Sequence, residues 1–252
     1  LAAMGHEEVV MCSDPSVGYR GILAVHSTKL GPALGGTRFW QYATDEEAIT
    51  DALRLSRGMT YKNAVAGLHL GGGKSIIIGD NKTKDREKIF RAHGRFIESL
   101  GGRYITAEDV GTSTKDMDYV HMETGHVAGL AGKSGDPSPV TAHGVFRAVE
   151  ASANRTWGSD GLEGKTVSIQ GCGSVGSYLA KELHEAGAKL IVSDIDSGKT
   201  AKVAKATGAK IVEGDVIFSV DADIFSPCAL GGIINDKTIP MLKVQVVAGG
   251  AN

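Results

Sequence analysis

The chain has 252 residues, is 42 % hydrophobic and carries a formal net charge of −2. That length suits one large domain or two ordinary ones with real cores, and the near-neutral charge gives no reason to expect a nucleic-acid or acidic-membrane partner. No apolar run approaches the roughly 18 residues that span a bilayer, and the three scattered cysteines, Cys12, Cys172 and Cys228, fit a reducing compartment, the cytoplasm, better than a disulfide framework or a metal knuckle.

In chain order, apolar β-prone runs at 8–12, 21–26, 75–78, 103–107, 166–170, 190–193, 224–226 and 246–248 predict strands. Helical periodicity predicts helices over 45–56, 85–100 and 174–185, the second with Ile89, His93, Phe96 and Leu100 on one face, the third with Val175, Leu179 and Leu183. Residues 1–7 show no basic segment followed by an apolar stretch, so a signal peptide is not expected. The alternation predicts an α/β fold with mostly parallel sheets. A turn-rich stretch, Lys133-Ser134-Gly135-Asp136-Pro137-Ser138-Pro139, predicts a domain boundary, with domains at 1–135 and 136–252 and a long helix from about 140 to 154 leading into the second.

The motif with the clearest mechanism is Gly171-Cys172-Gly173-Ser174-Val175-Gly176, between the strand at 166–170 and the helix at 174–185. In a Rossmann-like domain the first glycine makes the tight turn, the second admits a pyrophosphate, and the third lets helix and strand pack closely. The phosphates would sit on the helix N-terminus, over Ser174 and Val175, where free N–H groups favour anions. Asp194 ends the next strand, where a carboxylate bonds ribose hydroxyls and repels a 2′-phosphate, so NAD is expected over NADP; Asp196 competes for that role.

Gly71-Gly72-Gly73-Lys74-Ser75 imitates the end of a phosphate loop, but that motif needs glycine at 68 and the residue there is Leu68. The alternative is that Lys62 and Lys74 converge on a small anion, one holding a carboxylate and the other, partly desolvated, handling protons. Either lysine could equally be a solvated surface charge. Asp109 and Glu108 follow the strand at 103–107, where open α/β sheets place their ligands; the plainer readings are a helix cap or turn for Asp109 and a surface charge for Glu108. His69, His121, His126 and His143 lack metal-ligand spacing and are read as structural.

Six segments together resemble the glutamate/leucine/phenylalanine/valine dehydrogenases: Gly31-Pro32-Ala33-Leu34-Gly35-Gly36-Thr37-Arg38, Met59-Thr60-Tyr61-Lys62-Asn63, Gly71-Gly72-Gly73-Lys74, Arg103-Tyr104-Ile105-Thr106-Ala107-Glu108-Asp109-Val110-Gly111-Thr112, Pro137-Ser138-Pro139-Val140-Thr141-Ala142 and Pro227-Cys228-Ala229-Leu230-Gly231. The resemblance implies an N-terminal α/β substrate and oligomerisation domain, then an NAD-binding Rossmann-like domain, in a homo-oligomer acting on a free amino acid. It implies NAD-dependent oxidative deamination, with Lys74 activating water, Asp109 shuttling protons of the amino group, and Lys62 binding the α-carboxylate. Gly35 and Gly36 would line the pocket, Thr141 would contact the nicotinamide carboxamide, and Ala229 and Asn252 would lie along the cofactor. Leu34 stands where glutamate-specific members carry a lysine for the second carboxylate, so a small apolar, branched-chain substrate is expected. An aromatic substrate, or a relative that only binds nucleotide, are the alternatives. Two departures from the pattern are Asp136, where asparagine is usual, and the end of the chain at Asn252, which leads to the expectation that the second domain is truncated.

Overall fold

Residues 4–132 and 136–251 are described by the computed structural model, and the chain divides into two units, Leu1–Asp136 and Pro137–Asn252. Lys133, Ser134 and Gly135 of the expected boundary turn lie outside the described residues, as does Asn252.

The first unit runs β1 (Glu8–Asp14), β2 (Tyr19–Ser27), β3 (Ala33–Trp40), α1 (Asp45–Val65), β4 (Gly71–Ile78), α2 (Arg86–Glu98), β5 (Tyr104–Glu108) and α3 (Thr114–His121). Its sheet has the order β1-β2-β4-β3-β5. Only the β4-β3-β5 half is parallel; β1 and β2 pair antiparallel with each other, and β2 pairs antiparallel with β4. The expectation of mostly parallel sheets therefore fails for this unit, because the short connection between β1 and β2 permits a hairpin and no crossover. Alternating side chains divide the core between the two faces. Ile22, Ala24 and Ile76 pack on Ala48 and Ala52 of α1. Leu23, Val25 and Ile77 pack on the other face in a cluster with Phe90 and Ile97 of α2 and Met117 and Val120 of α3.

Two elements depart from the sequence reading in ways that shape the site. β3 was not anticipated, since Ala33-Leu34-Gly35-Gly36 lacks the alternating β-branched pattern, yet it pairs on both edges and sits inside the sheet. The expected helix at 45–56 continues to Val65, carrying Lys62 into its last turn. Its start is sharp: the Thr44 hydroxyl accepts the Glu47 N–H, and three acids fill the first turn. The extension lies directly on β4 at Gly72, where a Cβ would come 2.1 Å from the Thr60 nitrogen. The glycine run at 71–73 is thus buried strand and no phosphate loop.

The second unit runs α4 (Ser138–Trp157), β6 (Thr166–Gln170), α5 (Ser174–Glu185), β7 (Lys189–Ser193), α6 (Ser197–Thr207), β8 (Lys210–Ile211), β9 (Ile224–Pro227) and β10 (Val246–Val247). All its strands are parallel, in the order β10-β9-β6-β7-β8. Val167, Ile169, Leu190 and Val192 form its core with Leu179 and Leu183 of α5 and Val145 and Val149 of α4. α4 starts earlier than expected, at Ser138, with Pro139 in its first turn, where a missing N–H costs nothing. Among the described residues no helix is long and apolar enough to cross a membrane.

Candidate active site

Residues paired across parallel strands share a face. Leu34 pairs with Gly72 and with Ile105, and Gly36 pairs with Ala107. The face covered by α1 therefore carries Leu34, Gly36 and Arg38 from β3 and Gly72, Lys74 and Ile76 from β4. Asp109 follows β5 on the same side.

Lys74 and Asp109 meet across β3, with Nζ 2.7 Å from Oδ2. Gly36 lies beneath them, and a Cβ there would fall 2.8 Å from the Asp109 Cβ. Burial pushes the Lys74 ammonium below its ordinary range, against the opposing pull of Asp109. Burial would raise Asp109, but Lys74 and Arg38 outweigh it and hold the carboxyl below the usual carboxylate range. A lysine eased toward neutrality beside a firmly ionised carboxylate is suited to proton transfer.

Arg38, given no role from sequence, is a central part of this cluster. Its Nε donates to Asp109 Oδ2 at 3.1 Å and its guanidinium donates to Asp51 Oδ2 of α1 at 2.8 Å. The Tyr42 hydroxyl donates to that same Asp51 oxygen at 2.6 Å. The available signal was an arginine inside an apolar run, Thr37-Arg38-Phe39-Trp40, since a buried arginine must be paired. Lys62 is exposed, at the end of α1, and Leu34 is half-buried. Glu108 points to the opposite face and is pushed up to about 7 by burial and by Asp136, Asp116 and Asp109; its Oε2 is buried without a hydrogen-bond partner.

The opposite face holds a hydrogen-bonded support. The Thr37 hydroxyl contacts Ser75, Thr106 and His93 Nε2 at 2.8, 2.5 and 3.0 Å. Tyr19 closes the other side of the His93 ring at 2.8 Å from Nδ1. Tyr104 donates to the Gly35 carbonyl at 2.6 Å, fixing the backbone of one expected pocket residue. The loop after β5 is fixed as well: the Asp109 N–H donates to the Thr112 hydroxyl, and Arg86 donates to the Gly111 carbonyl and to Asp116.

In the second unit the glycine turn is tight at one glycine and open at another. Gly176 packs on the turn so tightly that a Cβ would lie 1.9 Å from the Gly171 oxygen, while a Cβ on Gly173 would meet open space. α5 has no side-chain cap, so the N–H groups of its first turn, at Ser174 and Val175, stay available to an anion. Asp194 Oδ2 accepts the Cys172 N–H at 2.7 Å, placing the carboxylate against the turn. Asp194 Oδ1 accepts the Asp196 N–H at 2.9 Å, and Asp196 in turn caps α6 by accepting from Gly198 and Lys199. Gly171 adjoins Ala229, where a Cβ on the glycine would be 2.6 Å from the Ala229 nitrogen. Thr141 lies in the first turn of α4 and its hydroxyl donates to the Pro137 carbonyl at 2.9 Å. Among the described residues no group of three or more His, Cys, Asp or Glu is placed to hold a metal ion.

Residues 6–126 match the profile of the Glu/Leu/Phe/Val dehydrogenase dimerisation domain, and residues 132–201 match that of the Glutamate/Leucine/Phenylalanine/Valine dehydrogenases. This chain belongs to that dehydrogenase family. Among curated members, leucine dehydrogenase of Geobacillus stearothermophilus is 56 % identical over 98 % of this chain and 68 % of its own length. L-tryptophan dehydrogenase of Nostoc punctiforme is 49 % identical over 99 % of this chain and 70 % of its own. The crystal structure of L-tryptophan dehydrogenase from Nostoc punctiforme superposes with a TM-score of 0.73 at 45 % identity, covering 100 % of this chain and 72 % of that one. A hetero-hexameric glutamate dehydrogenase from Thermus thermophilus, at 23 % identity and a TM-score of 0.81, shares the fold. The dimerisation-domain match contains Leu34, Gly36, Lys62, Lys74 and Asp109; the glycine turn and Asp194 fall in the second match, and Ala229 lies beyond it.

Proposed function

We propose that this dehydrogenase oxidises a branched-chain L-amino acid, leucine first, to its 2-oxo acid and ammonia, with NAD as the hydride acceptor. The observation that carries the reading is the Lys74–Asp109 pair on the same face of the sheet as a half-buried leucine, Leu34. Neutral Lys74 takes a proton from the water that adds to the imino carbon, and as an ammonium it stabilises the negative charge that develops on oxygen. Asp109 takes and returns the protons of the substrate nitrogen. Lys62, which is exposed, pairs with the α-carboxylate, and Gly35 and Gly36 line the pocket by their backbone, pressed so close to Gly73 and Glu108 that a Cβ on either would clash. Leu34 offers no cation to a second carboxylate, whose burial there would be costly.

NAD, when bound, supplies the acceptor for the α-hydride. Gly171, Gly173 and Gly176 with the first turn of α5 would hold its phosphates, Asp194 its ribose hydroxyls, and Thr141 and Ala229 the rest of its length. The first unit serves as the substrate domain and the second as the cofactor domain. The match to a dimerisation domain supports a homo-oligomer, and three free cysteines, Cys12, Cys172 and Cys228, are consistent with the cytoplasm.

The higher identity to leucine dehydrogenases, 56 % against 49 % for a phenylalanine dehydrogenase of Lysinibacillus sphaericus, favours an aliphatic over an aromatic substrate. The test is the absorbance of reduced cofactor with leucine, valine, phenylalanine, tryptophan or glutamate. The reading requires leucine or valine to give the highest kcat/KM with NAD, and an aromatic optimum or inactivity with all five would overturn it.

A further inference from the structure

Arg38 is 7 % exposed, close to the 5 % of Lys74, and the roles above leave it without work. It bridges two carboxylates, Asp51 on α1 and Asp109 behind β5, at 2.8 and 3.1 Å. Its contact with Asp109 falls on Oδ2, the same oxygen that Lys74 approaches. We propose that Arg38 is a positioning residue for the deamination: gripped by Asp51, it keeps the Asp109 carboxylate charged and aimed when Lys74 is neutral. This rests on the proton-handling roles of Lys74 and Asp109 given above.

The two cations differ in one decisive property. An ammonium can lose its proton in a desolvated site, whereas a guanidinium does not deprotonate in proteins. Lys74 must spend part of the cycle neutral to accept a proton from water. At that moment Asp109, its side chain 22 % exposed, keeps the full positive charge of Arg38 against the desolvation that would otherwise raise it. Without Arg38 the carboxyl would take up the proton itself, and the acceptor for the substrate ammonium would be lost. The rigid fork also fixes the carboxylate in direction, because its other arm is tied to Asp51, which the Tyr42 hydroxyl holds in turn.

Asp51 has a second consequence. With Lys74 protonated, Arg38, Lys74, Asp51 and Asp109 carry two positive and two negative charges. Burial is the largest influence lowering Lys74, and Asp109 opposes it; of the smaller influences, Arg38 lowers the lysine further and Asp51 raises it. The two residues of the bridge therefore act on Lys74 with opposite sign. The titratable and charged groups of the cluster are Asp51 from α1, Tyr42 from the segment before it, Arg38 from β3, Lys74 from β4 and Asp109 after β5, while Tyr104 and Glu108 of β5 lie on the opposite face and feel the charge of Asp109 from there. β2 contributes apolar Ile22 and Ala24 on this face. Lys62 is on α1 too, 11 residues beyond Asp51 and so about 16 Å further along the axis.

The experiment compares the protein with Arg38→Met, Arg38→Lys and Asp51→Asn. NMR follows the Asp109 carboxyl carbon and the Lys74 Cε against pH, and kcat and KM for leucine are measured over the same range. Arg38→Met is expected to raise both titrations and the acid limb of kcat/KM by about half a pH unit or more. Its kcat should fall about 10-fold or more while the leucine KM changes by less than about 3-fold, the pattern of an interaction that matters in the transition state. Asp51→Asn is expected to move the Lys74 titration and the limb the other way, to lower pH. Arg38→Lys keeps the charge and should restore the titrations but not the full kcat, because the fork is lost. Equal-direction shifts in Arg38→Met and Asp51→Asn, or no shift in either, would overturn the proposal. If Arg38→Met does not fold, Asp51→Asn decides, since that side chain is 26 % exposed and the change keeps its shape. Inactivity of the unsubstituted protein with leucine would defeat the functional reading alone, because the two NMR titrations still report on Arg38.

Discussion

Lys74 and Asp109 form a 2.7 Å ion pair whose members differ in exposure, 7 % for the lysine side chain and 22 % for the aspartate. The lysine is buried on the α1 side of the sheet and reaches across β3 over Gly36, while the carboxylate keeps one side accessible. That asymmetry suits the proposed relay, in which Asp109 would meet the substrate nitrogen while Lys74 stays in the low-dielectric layer where its proton is easiest to lose.

Lys74→Ala should lower kcat by about 100- to 10,000-fold, the usual scale for a lost acid–base group. Lys62→Ala should act mainly on the amino-acid KM, because an exposed lysine pairing with a carboxylate contributes equally to ground and transition states. In the unsubstituted protein activity should rise with pH as Lys74, lowered from its ordinary value, loses its proton. Steady-state kinetics across pH would show near-native turnover in Lys74→Ala if this assignment were wrong.

Leu34→Lys should turn selectivity toward glutamate. The substitution places a cation on the face shared with Lys74 and Gly36, so a second carboxylate gains a partner instead of being buried alone. The ratio of kcat/KM for glutamate over leucine should rise by about 10-fold or more, since a paired charge is worth well above 1.4 kcal/mol over an unpaired one in a desolvated site. An unchanged ratio would show that specificity is set elsewhere.

Asp194→Ala should weaken NAD use and reduce the preference for NAD over NADP. Two effects combine: the ribose loses its acceptor, and the Cys172 N–H loses the oxygen that fixes the glycine turn at 2.7 Å. Titration of both dinucleotides, monitored by intrinsic fluorescence, should give a smaller ratio of dissociation constants. A preference left intact would remove Asp194 from the ribose site.

His93 gives a stability prediction. Complete burial lowers its pKa from 6.5 to about 3, so the folded protein keeps it neutral. Because the folded value is depressed, the unfolded chain binds the extra proton first as pH falls. The contribution is full above pH 6.5 and is lost progressively toward pH 3, on the order of 5 kcal/mol across that window. Urea unfolding of His93→Gln should show a flatter fall in stability between those pH values, although the variant is weaker near neutrality through the loss of contacts to Tyr19 and Thr37. An equally steep fall would assign the acid sensitivity to other groups.

The sequence alone was enough to place β6, the glycine turn, α5 and β7, and the bounds of β6 and α5 coincide with those expected, Thr166–Gln170 and Ser174–Glu185. That stretch is legible because its signals are local: strand, turn, helix and acid follow one another within some thirty residues, and each periodicity is set by its own side chains. The Lys74–Asp109–Arg38–Asp51 cluster was not legible as a cluster, although Lys74 and Asp109 stood out singly. Its members come from β4, the loop after β5, β3 and α1, and only the strand order β4-β3-β5 under a long helix brings them together. β3 escaped notice because small residues at Ala33, Gly35 and Gly36 erase the alternation that marks a strand. α1 was read as ending at Ser56 because the pattern weakens toward Gly58, and a glycine there lowers helix propensity. What carries the helix to Val65 is its close seat on Gly72, a contact between residues far apart in sequence. The smallness of these glycines is visible in the sequence, but which backbone or side chain fills the space they leave is decided only when the sheet and helix are assembled.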